Sequence, residues 1–188
     1  MKEIKNVVVV GGGMMGNALA MVFASSPDLH VTLKTRKLRD DRWDAIIHNY
    51  DILIARGAAT QQEKQEGMGR IHFEEDEATA YTNADFIIEC TPEVMETKQN
   101  LFAGIEAYCS SDCILATNTS VMSPTQISEK CTHRQRVVGA HFWNPGHLIP
   151  LVEVVKSDST SDEVVEATMA LLTKVGKKPI CSKKDVPG

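Results

Sequence analysis

The 188-residue sequence predicts an α/β domain whose mostly parallel, doubly wound sheet is covered by helices on both faces. Three observations carry that expectation. Short β-branched runs alternate with helix-length amphipathic stretches, the pattern left by parallel strands and their crossover helices. The first run, Val7-Val8-Val9-Val10, is apolar on both faces, as a strand inside such a sheet must be. It leads directly into a glycine cluster that opens a helix, the strand-to-helix turn on which this architecture binds phosphates.

The elements follow in order. A strand over 6–10 precedes a helix over 14–26, and Pro27-Asp28 turns the chain into a second strand over 30–35. A long helical stretch over 38–56 ends at Gly57, and Thr60 with Glu63 forms a capping box that starts another helix at once. This helical hairpin, about 38–68, exceeds what a minimal strand–helix–strand unit needs, so it reads as an insertion serving a ligand or partner. Strand signals resume at 71–73, 86–90, 113–117, 136–142, 151–155 and 178–181. Helices are expected over 94–108 and 161–175, the second with Thr160 and Glu163 as its capping box and Gly176 as its terminator. One domain over 1–184 is therefore expected, with Asp185-Val186-Pro187-Gly188 reading as the start of a linker.

Composition narrows the class of function. Hydrophobic content of 43% and charged content of 24% suit a soluble domain with one core. The net charge of -5 argues against a nucleic-acid partner, which needs a basic surface. The five cysteines (Cys90, Cys109, Cys113, Cys131, Cys181) include no C-x-x-C pair and no zinc pattern. They read as reduced, buried thiols of a cytoplasmic protein, and no metal site is expected. No secretory leader opens the chain, and no run reaches the about 18 apolar residues of a membrane span.

Gly11-Gly12-Gly13-Met14-Met15-Gly16 contains G-x-G-x-x-G between a strand and a helix, the context that makes this motif informative. Gly11 permits the tight turn and Gly13 lets a pyrophosphate approach the backbone. Gly16 lets the helix pack close to the strand. The N–H groups that open this helix at Met14 and Met15, with the helix dipole, are placed to hold the pyrophosphate. These features predict a Rossmann-type dinucleotide site. The acid expected at the end of the second strand, which would hold a ribose 2′-hydroxyl, is absent: the strand ends Leu33-Lys34-Thr35-Arg36-Lys37. Thr35 and Arg36 suit a 2′-phosphate, so NADP(H) is expected to bind at least as well as NAD(H). The alternative is that Arg36 and Lys37 form a solvated loop.

His141 lies at the end of a strand in Gly139-Ala140-His141-Phe142-Trp143-Asn144-Pro145, at the sheet edge where α/β folds hold their ligands. Glu153 interrupts the apolar strand Leu151-Val152-Glu153-Val154-Val155, and a carboxylate there needs a partner. A His141–Glu153 pair across neighbouring strands satisfies both groups. Asn118-Thr119-Ser120 brings amide and hydroxyl groups to the same edge. Val94, Lys98, Leu101, Phe102, Ile105 and Cys109 share one helical face, where Lys98 breaks the apolar stripe and Glu93 is a candidate partner.

Taken together, these segments resemble the NAD-binding domain of the 3-hydroxyacyl-CoA dehydrogenase family over nearly the whole chain. The likeness rests on the Gly11–Gly16 loop, Glu89-Cys90-Thr91-Pro92-Glu93 with Lys98, Asn118-Thr119-Ser120, His141-Phe142-Trp143-Asn144-Pro145, Leu151-Val152-Glu153-Val154 and Lys184-Asp185-Val186-Pro187-Gly188. The resemblance implies that His141 is the general base for a substrate hydroxyl and that Glu153 orients and stabilises its imidazolium. It places Ser120 and Asn144 on the reacting oxygen or the nicotinamide side, and Glu93 and Lys98 near the nicotinamide ribose. It further implies an acyl-CoA substrate of the 3-hydroxybutyryl-CoA kind, contributed to by the helical insertion. A C-terminal helical domain beyond the final motif would make a homodimer, leaving residues 1–188 alone weakly active or inactive. His147-Leu148-Ile149-Pro150 also resembles relatives acting on free hydroxy acids, such as gulonate and carnitine dehydrogenases. The acidic insertion (Asp40, Asp41, Asp44, Asp51) departs from what a CoA polyphosphate suggests. A dinucleotide-binding protein without turnover is the remaining alternative.

Overall fold

The computed structural model describes residues 3–185 and contains one eight-stranded sheet. Strand β1 (Asn6–Val10) leads into helix α1 (Met14–Ala24) and strand β2 (His30–Lys34). The insertion follows as α2 (Asp44–Ala55) and α3 (Gln61–Gly69), then β3 (Ile71–Glu74), the short α4 (Glu77–Tyr81) and β4 (Phe86–Glu89). Helix α5 (Met95–Ile105) precedes β5 (Ile114–Thr117), and the single turn α6 (Pro124–Ile127) leads on to β6 (Val137–Phe142). Strand β7 (Leu151–Val155), helix α7 (Asp162–Lys174) and β8 (Lys178–Ser182) complete the described chain. The spatial order is β3-β2-β1-β4-β5-β6-β7-β8. Every neighbouring pair is parallel except β6 and β7, where the chain reverses.

Two cores lie on the two sheet faces, as alternation along the strands requires. Val7 and Val9 point into one core with Leu19 and Phe23 of α1, Ile46 and Tyr50 of α2, and Leu171 and Leu172 of α7. Val8 and Val10 point into the other with Tyr81 of α4, Phe102 and Ile105 of α5, and Ile127 of α6. That two-sided burial explains the unbroken valine run. Phe23 packs against Phe86 (centroids 6.0 Å apart) and Phe142 (6.2 Å), which docks α1 beneath the centre of the sheet. Each such fully buried side chain contributes roughly 1.5–3 kcal/mol. No helix among the described residues is long and apolar enough to cross a membrane.

Some elements differ from expectation for local reasons. The insertion's first helix starts at Asp44 instead of 38: residues 38–42 are exposed and mostly charged, and Trp43 packs edge-on against Phe73 (centroids 4.8 Å apart). Charges in this segment pair with one another (Arg39 with Asp41, 2.8 Å), and the backbone turns through Arg42 N to Arg39 O and Asp44 N to Asp41 O. The capping box at Thr60 and Glu63 forms as expected. The one at Thr160 does not: Ser161 caps α7 by accepting from Val164 N. Thr160 is turned into the sheet, donating to Val137 O (2.6 Å) and accepting from Ser157 N (2.9 Å). Helix α4 gives little sequence signal at five residues, but Asp76 caps it by accepting from Thr79 N at 2.8 Å. Of the expected linker, Asp185 accepts from Ser123 Oγ and Thr125 N, while residues 186–188 lie outside the described residues.

Candidate active site

The glycine loop sits at the carboxyl end of β1, where the neighbouring strands β2 and β4 also end. Gly11 adopts φ +112°, and a Cβ there would approach Cys90 O to 2.8 Å, so the turn requires glycine. At Gly16 a Cβ would fall 1.7 Å from Gly11 O, which fixes how closely α1 approaches the loop. Gly13 differs: nothing lies within 4 Å of its Cβ position, and the loop surface there is open. Met14 is exposed at the start of α1, Met15 is half-buried, and no side chain caps the helix. The loop is tied down from below by buried Asn17, whose Nδ2 donates to Gly12 O and Gly13 O, each at 3.0 Å. An open glycine surface over the uncapped N–H groups of a helix fits a dinucleotide pyrophosphate.

Thr35 follows β2 directly, and its methyl carbon lies 2.8 Å from where a Gly12 Cβ would stand, so it borders the loop. Lys34 is buried with Nζ donating to Thr35 O at 3.1 Å, while Arg36 and Lys37 are exposed. Strand β2 itself ends without a carboxylate, as the sequence indicates, but Glu75, just past the neighbouring β3, accepts from Leu38 N (3.0 Å).

His141 and Glu153 pair directly in the antiparallel register of β6 and β7. His141 Nδ1 lies 2.8 Å from Glu153 Oε2, with the side chains 19% and 35% exposed, so the pair is sheltered yet open to a ligand. Glu153 accepting from Nδ1–H leaves the lone pair on Nε2, which has no hydrogen bond among the described residues. The Trp143 ring stands 5.5 Å from the imidazole. Asn118 Oδ1 accepts from Phe142 N (2.8 Å), fastening the end of β5 to the residue beside His141. Ser120 and Asn144 are both exposed beyond these strand ends, Asn144 before a cis proline bond, and neither side chain hydrogen-bonds to His141.

Lys98 is 1% exposed and pairs with the expected Glu93, but also, and more closely, with Glu89. The shorter ion pair is to Glu89 Oε1 (2.6 Å), with Glu93 Oε2 farther at 3.4 Å. Glu89, at the end of β4, is fully buried and also accepts from Thr91 N and Oγ1 (2.6 Å each) and Thr117 Oγ1 (2.7 Å). Glu93 accepts from Thr119 Oγ1 (2.8 Å) and Ser120 N (3.1 Å), linking the start of α5 to the loop after β5. Val94, expected on the buried stripe of this helix, is instead 52% exposed. Sequence reasoning missed Asn17 and the part played by Glu89. A polar residue in an otherwise apolar helix, and an acid ending an apolar strand, were the available signals.

Residues 6–186 match the family model described as 3-hydroxyacyl-CoA dehydrogenase, NAD binding domain. The chain is 37% identical to a probable 3-hydroxyacyl-CoA dehydrogenase of Caenorhabditis elegans, covering 100% of this chain and 64% of that protein. It is 36% identical to the peroxisomal fatty acid beta-oxidation multifunctional protein AIM1 of Arabidopsis thaliana, covering 95% of this chain and a quarter (25%) of the relative. Among solved structures, 3-hydroxybutyryl-CoA dehydrogenase from Escherichia coli superposes with a TM-score of 0.90 at 32% identity, over 96% of this chain and 38% of that one. The chain belongs to the 3-hydroxyacyl-CoA dehydrogenase family and corresponds to its NAD-binding domain.

Proposed function

We propose that this chain supports hydride exchange between a nicotinamide dinucleotide and the 3-hydroxyl carbon of a 3-hydroxyacyl-CoA of the 3-hydroxybutyryl-CoA kind. The observation that carries this reading is the His141–Glu153 pair, held at the same sheet edge as the open glycine loop. The bound dinucleotide supplies the hydride acceptor. The chain supplies the proton chemistry. His141 Nε2 takes the hydroxyl proton as the carbon is oxidised and returns it in the reverse direction. Glu153 keeps the proton on Nδ1 and stabilises the imidazolium that forms. Asn118 holds the backbone beside the base, and Ser120 and Asn144 stand at the mouth to donate to the substrate oxygen.

The residues next to Thr35 support NADP(H) binding at least as well as NAD(H): Lys34 donates to Thr35 O, Arg36 and Lys37 are exposed, and β2 itself ends without a carboxylate. A homodimer formed through a helical domain following this one, and a cytoplasmic location, belong to the same reading. Free 3-keto acids are the competing substrate class, favoured by the acidic, exposed Asp40, Asp41 and Asp44 of the insertion.

The deciding assay gives the full-length gene product acetoacetyl-CoA or free acetoacetate, each with NADH or NADPH. Reduction of the thioester with much higher kcat/KM than the free acid is expected. Preferential use of the free acid would overturn the CoA assignment. Titrating the chain itself with both dinucleotides checks the cofactor: a strong preference for NADH would remove the role given to Thr35 and Arg36.

A further inference from the structure

The cysteines are not uniformly buried as expected. Cys113 and Cys131 are buried, Cys90 and Cys109 are half-buried, and Cys181 is exposed. Two of them stand together at the amino-terminal edge of the sheet, opposite the edge that carries His141. Cys109 follows α5, and Cys113 immediately precedes β5. Between them a tight turn closes through Cys113 N to Ser110 O (3.1 Å). Arg136, 3% exposed, reaches into this turn. Its Nη1 lies 3.5 Å from Cys109 Sγ and 3.4 Å from Cys113 O, and it also donates to Ser110 O. One guanidinium nitrogen therefore contacts the Cys109 thiol and the Cys113 backbone carbonyl, while the Cys113 thiol donates to Ile114 O (3.7 Å). A polar cavity of about 520 Å³ opens beside Cys113, with Ser110, Asp112 and Asp85 also among its lining residues.

We propose that Cys109 and Cys113 form an oxidation site, in which Cys109 takes an oxygen atom from a hydroperoxide and Cys113 then closes a disulfide onto it. The charged surroundings favour this. The Cys113 thiol beside it and the Arg136 guanidinium hold Cys109 down to about 7, against the burial that raises it. Cys113 is pushed up by Cys109 and by burial, so one sulfur of the pair carries charge while the other keeps its proton. Glu106, 3.2 Å from Arg136 Nη2, opposes the guanidinium in part. Cys131, with Arg134 and Glu106 around it, stays a thiol at about 12.

In the first step the Cys109 thiolate attacks the peroxide. A sulfur–oxygen bond forms, the oxygen–oxygen bond breaks, and the departing alkoxide or hydroxide takes a proton from water. Sulfur is oxidised by two electrons to a sulfenic acid, and the peroxide is reduced to an alcohol or water. In the second step Cys113 attacks the oxidised sulfur; the charge on Cys109 no longer opposes its ionisation, although burial and Asp85 still do. The sulfur–sulfur bond forms, the sulfur–oxygen bond breaks, and hydroxide leaves as water with the proton of Cys113. A small peroxide reaches Cys109 through its own partly exposed side, while the cavity lies on the Cys113 side of the turn.

The test is mass spectrometry of the chain after brief treatment with hydrogen peroxide across a range of pH, in a Cys181→Ser background that removes the exposed competitor. The expected product is an intramolecular 109–113 disulfide. Its rate levels off above about pH 7, where about half of Cys109 is thiolate, whereas a small thiol such as N-acetylcysteine is still almost wholly protonated. The Cys113→Ser variant should stop at a sulfenic acid on Cys109 that dimedone traps. Absence of the disulfide in the Cys181→Ser chain overturns the proposal. So does a pH profile for Cys109 that climbs in parallel with N-acetylcysteine. Both readings come from a chain with Cys109, Cys113 and Arg136 intact, so neither depends on how substitutions at those three residues fold.

Discussion

His141 Nδ1 and Glu153 Oε2 face each other at 2.8 Å across the one antiparallel pair of the sheet. The pairing assigns the proton on Nδ1 and so leaves Nε2 as the basic nitrogen. His141→Ala should lower kcat by about 10²–10⁴-fold, the usual contribution of a positioned acid–base group. Glu153→Gln keeps an acceptor for Nδ1 but loses its charge, and should cost about 10–100-fold in kcat, the worth of a charged hydrogen bond. Dinucleotide affinity, followed by fluorescence titration, should be unchanged in both. A Glu153→Gln enzyme with full turnover would show that the carboxylate plays no part in the proton transfer.

Gly13 and Gly16 make opposite demands, which separates binding from folding. A methyl at Gly13 meets nothing in the protein, so Gly13→Ala should leave the thermal midpoint unchanged. It should nevertheless weaken dinucleotide binding by about tenfold or more, equivalent to about 1.4 kcal/mol, because the methyl stands where the pyrophosphate comes. At Gly16 the methyl collides with backbone 1.7 Å away, and Gly16→Ala should cost about 1–3 kcal/mol of stability as well as binding. Calorimetry of the two variants with and without dinucleotide distinguishes these outcomes.

The Glu89–Lys98 pair is buried on both sides, with side chains 0% and 1% exposed. Removing the cation strands a carboxylate in the core. Lys98→Met is therefore expected to cost about 3–5 kcal/mol in urea unfolding. The double variant Glu89→Gln, Lys98→Met should recover part of that loss, because the carboxylate then left without its cation, Glu93, is 39% exposed and not in the core. If the single variant is as stable as the parent, the ion pair does not matter to the fold.

Glu106 links stability to acidity. Burial pushes its carboxyl up, but the backbone N–H groups of Thr132 and His133 and the Arg136 guanidinium outweigh this and hold it below its ordinary range. A carboxylate depressed in the folded state contributes stability above its unfolded value and loses it as pH falls through the folded one. Glu106→Gln should thus be less stable than the parent at neutral pH, and the gap should close below about pH 4. Urea midpoints measured at several pH values check the direction. A gap that widens on acidification would contradict it.

Much of this was written in short-range pattern. The valine strand, the glycine turn and the Thr60–Glu63 cap are each decided by neighbours a few residues apart, and each formed where expected. The His141–Glu153 pair was legible because a charged residue inside an apolar strand needs a partner, and a histidine ended the strand before it. Glu89 was not legible in the same way. Besides nearby Thr91, its partners are Lys98, nine residues on in α5, and Thr117, 28 residues on, which only the register of β4 with β5 brings alongside. Thr160 was misread because a hydroxyl next to a helix start suits a cap as well as it suits a neighbouring strand. Only the packing of β6 decides between them.

The reversal between β6 and β7 has a consequence for how such a catalyst can be altered. Glu153 meets His141 through ladder register, whereas the eight residues 143–150 that join the two strands are fastened separately: Lys177 Nζ donates to Gly146 O (2.6 Å) and Ile149 O (2.9 Å), and the Trp143 ring stands 5.5 Å from the imidazole. A connector of different length would break those anchors and displace Asn144. Under the proposed function, side-chain changes at exposed Leu148 are therefore a gentler way to alter selectivity than a new connector.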